Sequence, residues 1–165
     1  MSNLKMFKYE WIWDKRLPSG FQLAKYSPMM RHENILVFST GTPKYNPIMI
    51  EQNPRKGGGF KKSSLSSPIK NIDGKTRNYT KKYPQSILEF YKRDQNSSHP
   101  TQKPIALFEY LINTYTNEGD IVYDGFVGSG TTCLAALKLN RNFIGFEINP
   151  EYVAMANKRL KSCLT

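Results

Sequence analysis

The chain has 165 residues, of which 13% are aromatic and 22% are charged, and its net charge is +11. This length suits one ordinary domain with a real core, and the composition argues against a disordered tail. No apolar stretch approaches the roughly 18 residues of a membrane span, and the polar start does not resemble a signal peptide, so we expect a cytoplasmic protein without membrane contact.

The first regular pattern is FKYEWIW, where Phe7, Tyr9, Trp11 and Trp13 occupy alternate positions. This alternation predicts a strand with one strongly apolar face. The run ENILVFST is short, apolar and bounded by polar and turn residues, which predicts a strand buried on both faces. We expect both segments to form sheet core, and we assign the two tryptophans to packing before ligand stacking.

Nearly all of the excess positive charge lies between residues 44 and 93, where 12 basic residues stand against three acidic ones. Residues 44–84 contain many Pro, Gly and Ser breakers, which predicts loops and short strands without a packed core. Tyr45, Tyr79 and Tyr83 are interleaved with the cations, a mixture that suits phosphate contacts and base stacking. We favour nucleic-acid contact over the alternative, a solvated linker. The candidate contacts are Lys56, Lys61, Lys62, Lys75, Arg77, Lys81 and Lys82.

A helical pattern follows in HPTQKPIALFEYLINTYTNEGD. Pro104 is predicted to be the first helical residue, and the turn at residues 117–120 ends the helix before a strand at 121–123. The residues that recur at helical spacing are Phe108, Leu111, Ile112 and Tyr115.

That strand leads into the glycine-rich segment VYDGFVGSGTT, which opens a second helix. Gly125 and Gly130 have the spacing of a phosphate-binding P-loop, but Thr131 stands where that loop needs its lysine. A dinucleotide motif begins with Gly128 and Gly130, but its third glycine position is occupied by Cys133, which weakens a pyrophosphate site.

Two carboxylates favour a different ligand. Asp124 ends the first strand, and Glu147 ends the next strand 19 residues beyond Gly128, the offset at which a carboxylate meets ribose hydroxyls. An acidic strand end repels phosphate but suits an adenosyl ligand with an ammonium and a sulfonium, and glycine lets the backbone approach such a ligand closely. S-adenosylmethionine fits these features, whereas a simple Asp-Gly turn with a helix cap is the structural alternative.

Cys133 and Cys163 lie in helical patterns, without CxxC spacing and without a nearby His or Cys. We predict reduced, mostly buried thiols and no metal site.

The motif HPTQKP about 20 residues before YDGFVGSGTT, followed by FIGFEINPEYVAMANKRL, closely resembles the beta-class amino-group DNA methyltransferases. These enzymes methylate adenine N6 or cytosine N4. The stretches YEWIWDK and RHENILVF are also similar to that family, so the resemblance covers the chain outside the basic segment. It implies the α/β, Rossmann-like fold of methyltransferases that use S-adenosylmethionine. The fold is circularly permuted in this family, so that the cofactor motif follows the recognition region in the sequence.

The resemblance also implies roles for particular residues and regions. Residues 1–43 match the last strands of the catalytic half, 44–98 the region that recognises double-stranded DNA, and 99–165 the cofactor-binding half. Lys103 is implied to pair with the cofactor carboxylate, beside donors from helix amides. The implied cofactor-binding residues are His99, Thr101, Gln102, Lys103, Asp124, Phe126, Gly128, Gly130, Thr131 and Glu147.

The family's catalytic motif, [DNS]PP[YFW], draws the base amine out of conjugation and stacks on the flipped base. This sequence contains no Pro-Pro pair, so no catalytic residue is assigned. The resemblance further implies that central strands are missing, which leaves unpaired edges across a gap of roughly 9 to 10 Å.

We therefore predict a truncated or split site-specific DNA methyltransferase, with adenine N6 as the preferred target, that needs a polypeptide carrying the missing N-terminal half. A non-catalytic DNA-binding remnant is the alternative. An RNA or protein methyltransferase ranks last, because the order of the motifs does not fit one.

Overall fold

The structure is a computed structural model that describes residues 3–58, 76–91 and 102–164. The chain divides into two compact units, Met1–Asn46 with Gln85–Thr165, and Pro47–Pro84. Within the described ranges no helix is long and apolar enough to cross a membrane. The elements in chain order are β1 (Phe7–Ser19), β2 (Met30–Phe38), β3 (Ile50–Gly58), β4 (Thr76–Lys82), β5 (Ile87–Glu89), α1 (Ile105–Tyr115), β6 (Ile121–Asp124), α2 (Thr131–Lys138), β7 (Asn142–Gly145) and α3 (Pro150–Leu164).

The first sheet of the larger unit has β1 at its centre, with β2 antiparallel on one side and β5 parallel on the other. The predicted apolar face of β1 is confirmed, because Trp11 and Trp13 are only 4% and 2% exposed. Their indole nitrogens are also satisfied, since Trp11 Nε1 donates to the Tyr115 hydroxyl at 2.5 Å and Trp13 Nε1 donates to the Phe90 carbonyl at 2.9 Å. The assignment of both tryptophans to packing is therefore confirmed.

Strand β2 differs from its prediction. Ile35 and Val37 pack against the core, but Leu36 and Phe38 between and after them are 52% and 37% exposed. The expectation of burial on both faces is wrong, because in the described part of the chain α1 covers only one face of this sheet and β2 lies at the sheet edge.

Strand β5 lies inside the segment 44–98 that the sequence assigned to DNA recognition. Its backbone joins β1 in parallel, with Ile87 opposite Ile12, and the Ile12 amide donates to the Ser86 carbonyl at 2.8 Å. Leu88 is buried in the core with the tryptophans. These three residues thus belong to the sheet of the larger unit.

The smaller unit contains an antiparallel hairpin of β3 and β4. Ile50 lies opposite Lys82, and Lys56 lies opposite Asn78, with a register shift between Glu51 and Arg55. Strands were expected in the basic segment and are present, but with nine and seven residues they are longer than the short strands predicted.

Helix α1 begins one residue later than predicted. Pro104 is its N-cap, with an extended backbone (φ −66°, ψ 133°), and Ile105 is the first helical residue. The turn after the helix is as predicted, and Gly119 supplies the left-handed conformation there with φ 81°.

The helix has apolar residues on two faces. Leu107 packs with the tryptophans of the first sheet, whereas Ile112 packs with Ala135 and Ala136 of α2, both fully buried. The second cluster also contains side chains from the parallel β6–β7 pair, namely Val122 and Phe143.

The cysteines agree only in part with their prediction. Cys133 in α2 is buried, and burial raises the pKa of its thiol, which keeps the group protonated and inert. Cys163 is exposed, because it lies near the end of α3 on a face that nothing in the described chain covers.

Replacing Tyr115 by Phe removes the hydroxyl that accepts the Trp11 indole hydrogen bond and contacts the Tyr9 hydroxyl at 3.0 Å. We expect the free energy of unfolding to fall by about 1–3 kcal/mol, the cost of an unpaired buried donor, in chemical denaturation followed by near-UV circular dichroism. Tyr26→Phe is the control, because that side chain is 87% exposed. Equal effects of the two substitutions would contradict the assigned role of the hydroxyl.

Candidate functional site

The candidate site lies where the parallel strands β6 and β7 end. Asp124 is the last residue of β6, and Glu147 follows β7 by two residues. Between them in space runs the loop of residues 125–130, which leads into α2. The carboxyl ends of parallel strands are the usual ligand-binding edge of an α/β sheet.

Asp124 shapes the start of this loop. One carboxylate oxygen accepts from the Phe126 amide at 2.9 Å, and the other accepts from the Thr132 hydroxyl at 2.5 Å. The carboxylate therefore caps the turn and lies near the positive end of the α2 dipole. The capping geometry of the structural alternative is present, and the role of Asp124 toward a ligand stays a prediction.

Glu147 holds the middle of the loop. Its Oε2 accepts from the Gly128 amide and its Oε1 from the Asn149 amide, each at 2.9 Å. Because each carboxylate oxygen accepts up to two hydrogen bonds, these contacts are compatible with an additional donor from a ligand.

Of the three glycines in the loop, Gly128 and Gly130 are required for different physical reasons. A Cβ added at Gly128, which has φ 52°, would meet nothing within 4 Å, so this position opens onto space. A Cβ added at Gly130, which has φ 79°, would lie 2.7 Å from the Ala156 Cβ of α3. The expectation that a Cβ would intrude on a ligand thus does not describe Gly130, whose missing side chain permits helix packing.

Cys133, which occupies the third glycine position of the dinucleotide motif, has room because the facing residue of β7 is a glycine. A Cβ on Gly145 of β7 would lie 2.9 Å from the Cys133 sulfur and 2.6 Å from Val127. The close approach of helix and strand that the third motif glycine usually gives is provided here by a glycine on the facing strand.

A pocket of about 200 Å³ lies beside the loop. It brings together six predicted cofactor residues, which are Gln102, Lys103, Asp124, Phe126, Gly128 and Thr131. Gly130 and Glu147 do not line it, and they support the loop through the contacts described above. His99 and Thr101 lie outside the described residues.

Gln102 is one of the residues that line this pocket, and its side chain has an unsatisfied oxygen. The residue is 9% exposed, and its Oε1 has no hydrogen-bond partner among the residues that the structure describes. Buried carbonyl oxygens nearly always accept a hydrogen bond. Gln102 therefore brings an unsatisfied acceptor oxygen to the residues that line the pocket.

Lys103 lies at the same pocket but already has partners. Its Nζ donates to Glu33 at 2.6 Å and lies 5.2 Å from the centre of a Trp13 ring. Glu33 also pairs with the buried Lys15 at 3.6 Å. Burial tends to raise the pKa of Glu33, but the hydrogen bond and charge of Lys103, together with Lys15, lower it below its usual value.

The ammonium of Lys103 has three donors, so pairing with a ligand carboxylate would be shared with Glu33. The cluster of Lys15, Glu33 and Lys103 carries a net single positive charge beside the pocket.

Four of the seven predicted nucleic-acid contacts lie in the strands of the β3–β4 hairpin, namely Lys56, Arg77, Lys81 and Lys82. Lys56, Lys81 and Lys82 are exposed, and Lys81 pairs with Glu51 at 3.1 Å. Because side chains alternate along a strand, Lys81 and Lys82 lie on opposite faces of the hairpin. Arg77 occupies the β4 position opposite Gly57, and its side chain is outside the described part. Lys61, Lys62 and Lys75 also lie outside the described residues.

The sequence interpretation did not single out three side chains that shape this site, Glu33, Thr132 and Arg159. Glu33 stands at the polar start of the run ENILVF, where the sequence carries no specific signal for it. Arg159 follows Ala156 by three residues, which places both on one face of α3.

The sequence model of the family described as "DNA methylase" matches residues 2–158. The type II methyltransferase M.HpaI of Haemophilus parainfluenzae is 38% identical over 141 residues, which are 83% of this chain and 40% of that protein. The DNA adenine methyltransferase YhdJ of Escherichia coli (strain K12) is 46% identical over 83 residues, which are 48% of this chain and 28% of that protein.

Among solved structures, the M1.HpyAVI–SAM complex is similar with a TM-score of 0.61 and 30% identity, over 93% of this chain and 62% of that one. The predicted α/β methyltransferase fold is thereby confirmed. The chain spans less than two thirds of each of these relatives. Because the family match extends over nearly its whole length, the chain belongs to the DNA methylase family.

Proposed function

We propose that this chain binds S-adenosylmethionine beside the loop at residues 125–130 and serves methyl transfer to an exocyclic amine of DNA. The observation that carries the proposal is the pocket lined by Asp124, the open Gly128 and Gln102, whose buried Oε1 has no hydrogen-bond partner among the described residues. Membership of the DNA methylase family supports it.

The residues of the pocket suit the parts of this cofactor. Gln102 Oε1 and the Asp124 carboxylate are acceptors for an ammonium, and the negative charge of Asp124 also favours a nearby sulfonium. Glu147 suits ribose hydroxyls, and Lys103 suits a carboxylate. When bound, the cofactor supplies an electrophilic methyl group on sulfur.

The described residues enclose only part of a cofactor site. Ligand pockets usually measure about 300 to 1,000 Å³, and the pocket here measures about 200 Å³. In the described chain, Tyr123 of β6 is 67% exposed and Phe146, directly after β7, is 56% exposed, although parallel sheets normally have both faces covered. We propose that a further polypeptide segment covers this face and completes the pocket.

The same segment would supply the chemistry that attacks the base. An exocyclic amine is a weak nucleophile, and the family's [DNS]PP[YFW] motif assists it, whereas this sequence has no Pro-Pro pair. The first sheet and the β6–β7 pair share no backbone ladder among the described strands. A segment that carries this motif and lies between the two sheets accounts for both observations.

The proposed substrate is double-stranded DNA in the cytoplasm, with adenine N6 as the acceptor. The exposed cations of the β3–β4 hairpin support the DNA contact, and the named adenine specificity of the YhdJ relative supports the choice of base.

A second candidate is a non-catalytic DNA-binding protein that descends from such an enzyme. The exposed lysines of the hairpin favour it, because their binding to phosphate needs neither cofactor nor catalytic motif.

Asp124→Ala and Glu147→Ala should each weaken S-adenosylmethionine binding tenfold or more, about 1.4 kcal/mol, in calorimetry on the folded chain. Each removes a negative charge and a hydrogen bond that shapes the loop. Glu118→Ala is the control, because it makes the same charge change in an exposed turn. Equal affinity in all four proteins would disprove the two roles.

Mixing this chain with a family fragment that carries [DNS]PP[YFW] should restore transfer of labelled methyl groups to DNA. Neither polypeptide alone should transfer, and a mixture made with the Asp124→Ala chain should transfer more slowly because its donor pocket is weakened. The measurement is radioactivity in DNA after digestion and separation of nucleosides. An inactive mixture of two folded components would sink the split-enzyme hypothesis.

Replacing Lys56, Lys81 and Lys82 together by Gln should weaken DNA binding. It should also make the plot of log binding constant against log salt concentration less steep, by about 0.9 for each phosphate that the protein no longer neutralises. Fluorescence anisotropy at several salt concentrations measures both effects. The control replaces Lys25, Lys158 and Lys161, three exposed lysines outside the hairpin. Identical slopes for the two triple variants would show that net charge, and not the hairpin, determines binding.

A further inference from the structure

Helix α3 contacts the loop of residues 125–130, called the glycine loop below, through the side chain of Arg159. The two N–H groups of Arg159 Nη1 are shared among three acceptors, which are the Ser129 carbonyl at 2.6 Å, the Ser129 hydroxyl at 3.1 Å and the Thr131 hydroxyl at 3.2 Å. These oxygens lie on the two residues that flank Gly130, and both residues are 5% exposed. The guanidinium therefore joins the last residue of the loop before Gly130 to the first residue of α2.

The same face of α3 touches the loop at a second point. Ala156 lies three residues before Arg159, and a Cβ on Gly130 would approach its Cβ to 2.7 Å and its Cα to 3.1 Å. The backbone of the loop is thus packed directly on α3 where the arginine binds it.

The contact has a conformational consequence. Glycine loses more backbone freedom on ordering than any other residue, and Gly128 and Gly130 both adopt left-handed conformations here. A loop held in its bound shape before the ligand arrives binds with a smaller ordering cost. Charge-assisted hydrogen bonds from one guanidinium nitrogen, whose two N–H groups are shared among three loop oxygens, restrict the loop in this way.

Stability of α2 alone does not explain the position of the arginine. A cation at the first turn of a helix opposes the helix dipole. Its hydrogen bonds to the loop oxygens are the compensating gain.

We propose that Arg159 is a positioning residue for the cofactor loop. It acts through Ser129 and Thr131, and it keeps Gly128 open toward the pocket. The inference rests on the proposed function, because it assigns to α3 the preorganisation of the same S-adenosylmethionine site.

Hydrogen exchange of the ligand-free full chain tests the positioning step without any need for cofactor binding. In Arg159→Met, exchange of the peptide covering residues 125–134 should accelerate about tenfold or more, while the β1 peptide at residues 7–19 stays unchanged. Arg159→Lys, which keeps a cationic donor, should recover part of the protection. Lys158→Met is the matched control, because it removes the neighbouring exposed charge of the same helix.

Calorimetry on the same proteins tests the consequence for the ligand. The Kd for S-adenosylmethionine should rise about tenfold in Arg159→Met, less in Arg159→Lys and not in Lys158→Met. Loop exchange in Arg159→Met equal to that of the control, equal acceleration of both peptides, or an unchanged Kd would each overturn the proposal. If the wild-type chain binds no S-adenosylmethionine, the proposed function fails, and the exchange comparison alone decides the role of Arg159.

Discussion

The packing of α1 on two sides is the constraint on which the larger unit depends. Leu107 packs against the tryptophans of the first sheet, and Ile112 packs against the alanines of α2. Since no backbone ladder joins the first sheet to β6–β7 among the described strands, this helix connects their cores. Its C-terminal end is anchored further, because Asn46 and Arg141 both donate to the Thr116 carbonyl, at 3.0 and 3.1 Å. This arrangement also positions two residues of the pocket, because Gln102 and Lys103 lie just before α1.

The glycine loop is held from three directions before any ligand is considered. Asp124 binds its start, Glu147 binds its middle, and Arg159 binds its end. Two carboxylates and one guanidinium at hydrogen-bonding distance restrict a segment that glycine would otherwise leave mobile. The predicted ligand residues Asp124 and Glu147 therefore have a structural task as well, so substituting them tests loop shape and ligand contact together.

Sequence patterns predicted the elements whose signal is local. The alternation around Trp11 and Trp13 and the spacing from Phe108 to Tyr115 both predicted the observed elements. Contacts between residues far apart in the chain could not be predicted from the sequence patterns. Leu88 joins the core through a parallel pairing 75 residues from Trp13, and a short segment inside a basic, turn-rich region carries no periodic signal for that pairing. The burial of β2 on one face depends on its place at the sheet edge, and the ion pairs of Lys103 and the reach of Arg159 depend on tertiary distances.

The central claim is that a methyl-donor site lies at the ends of β6 and β7 on this polypeptide. The most direct test is a titration of the isotope-labelled chain with S-adenosylmethionine, followed by amide chemical shifts in NMR spectra. The account predicts saturable shifts confined to residues 102–103, 124–132 and 146–149, with the β3–β4 hairpin unaffected. Saturation without shifts at Asp124, Gly128 or Glu147, or no binding to the folded chain, would contradict it.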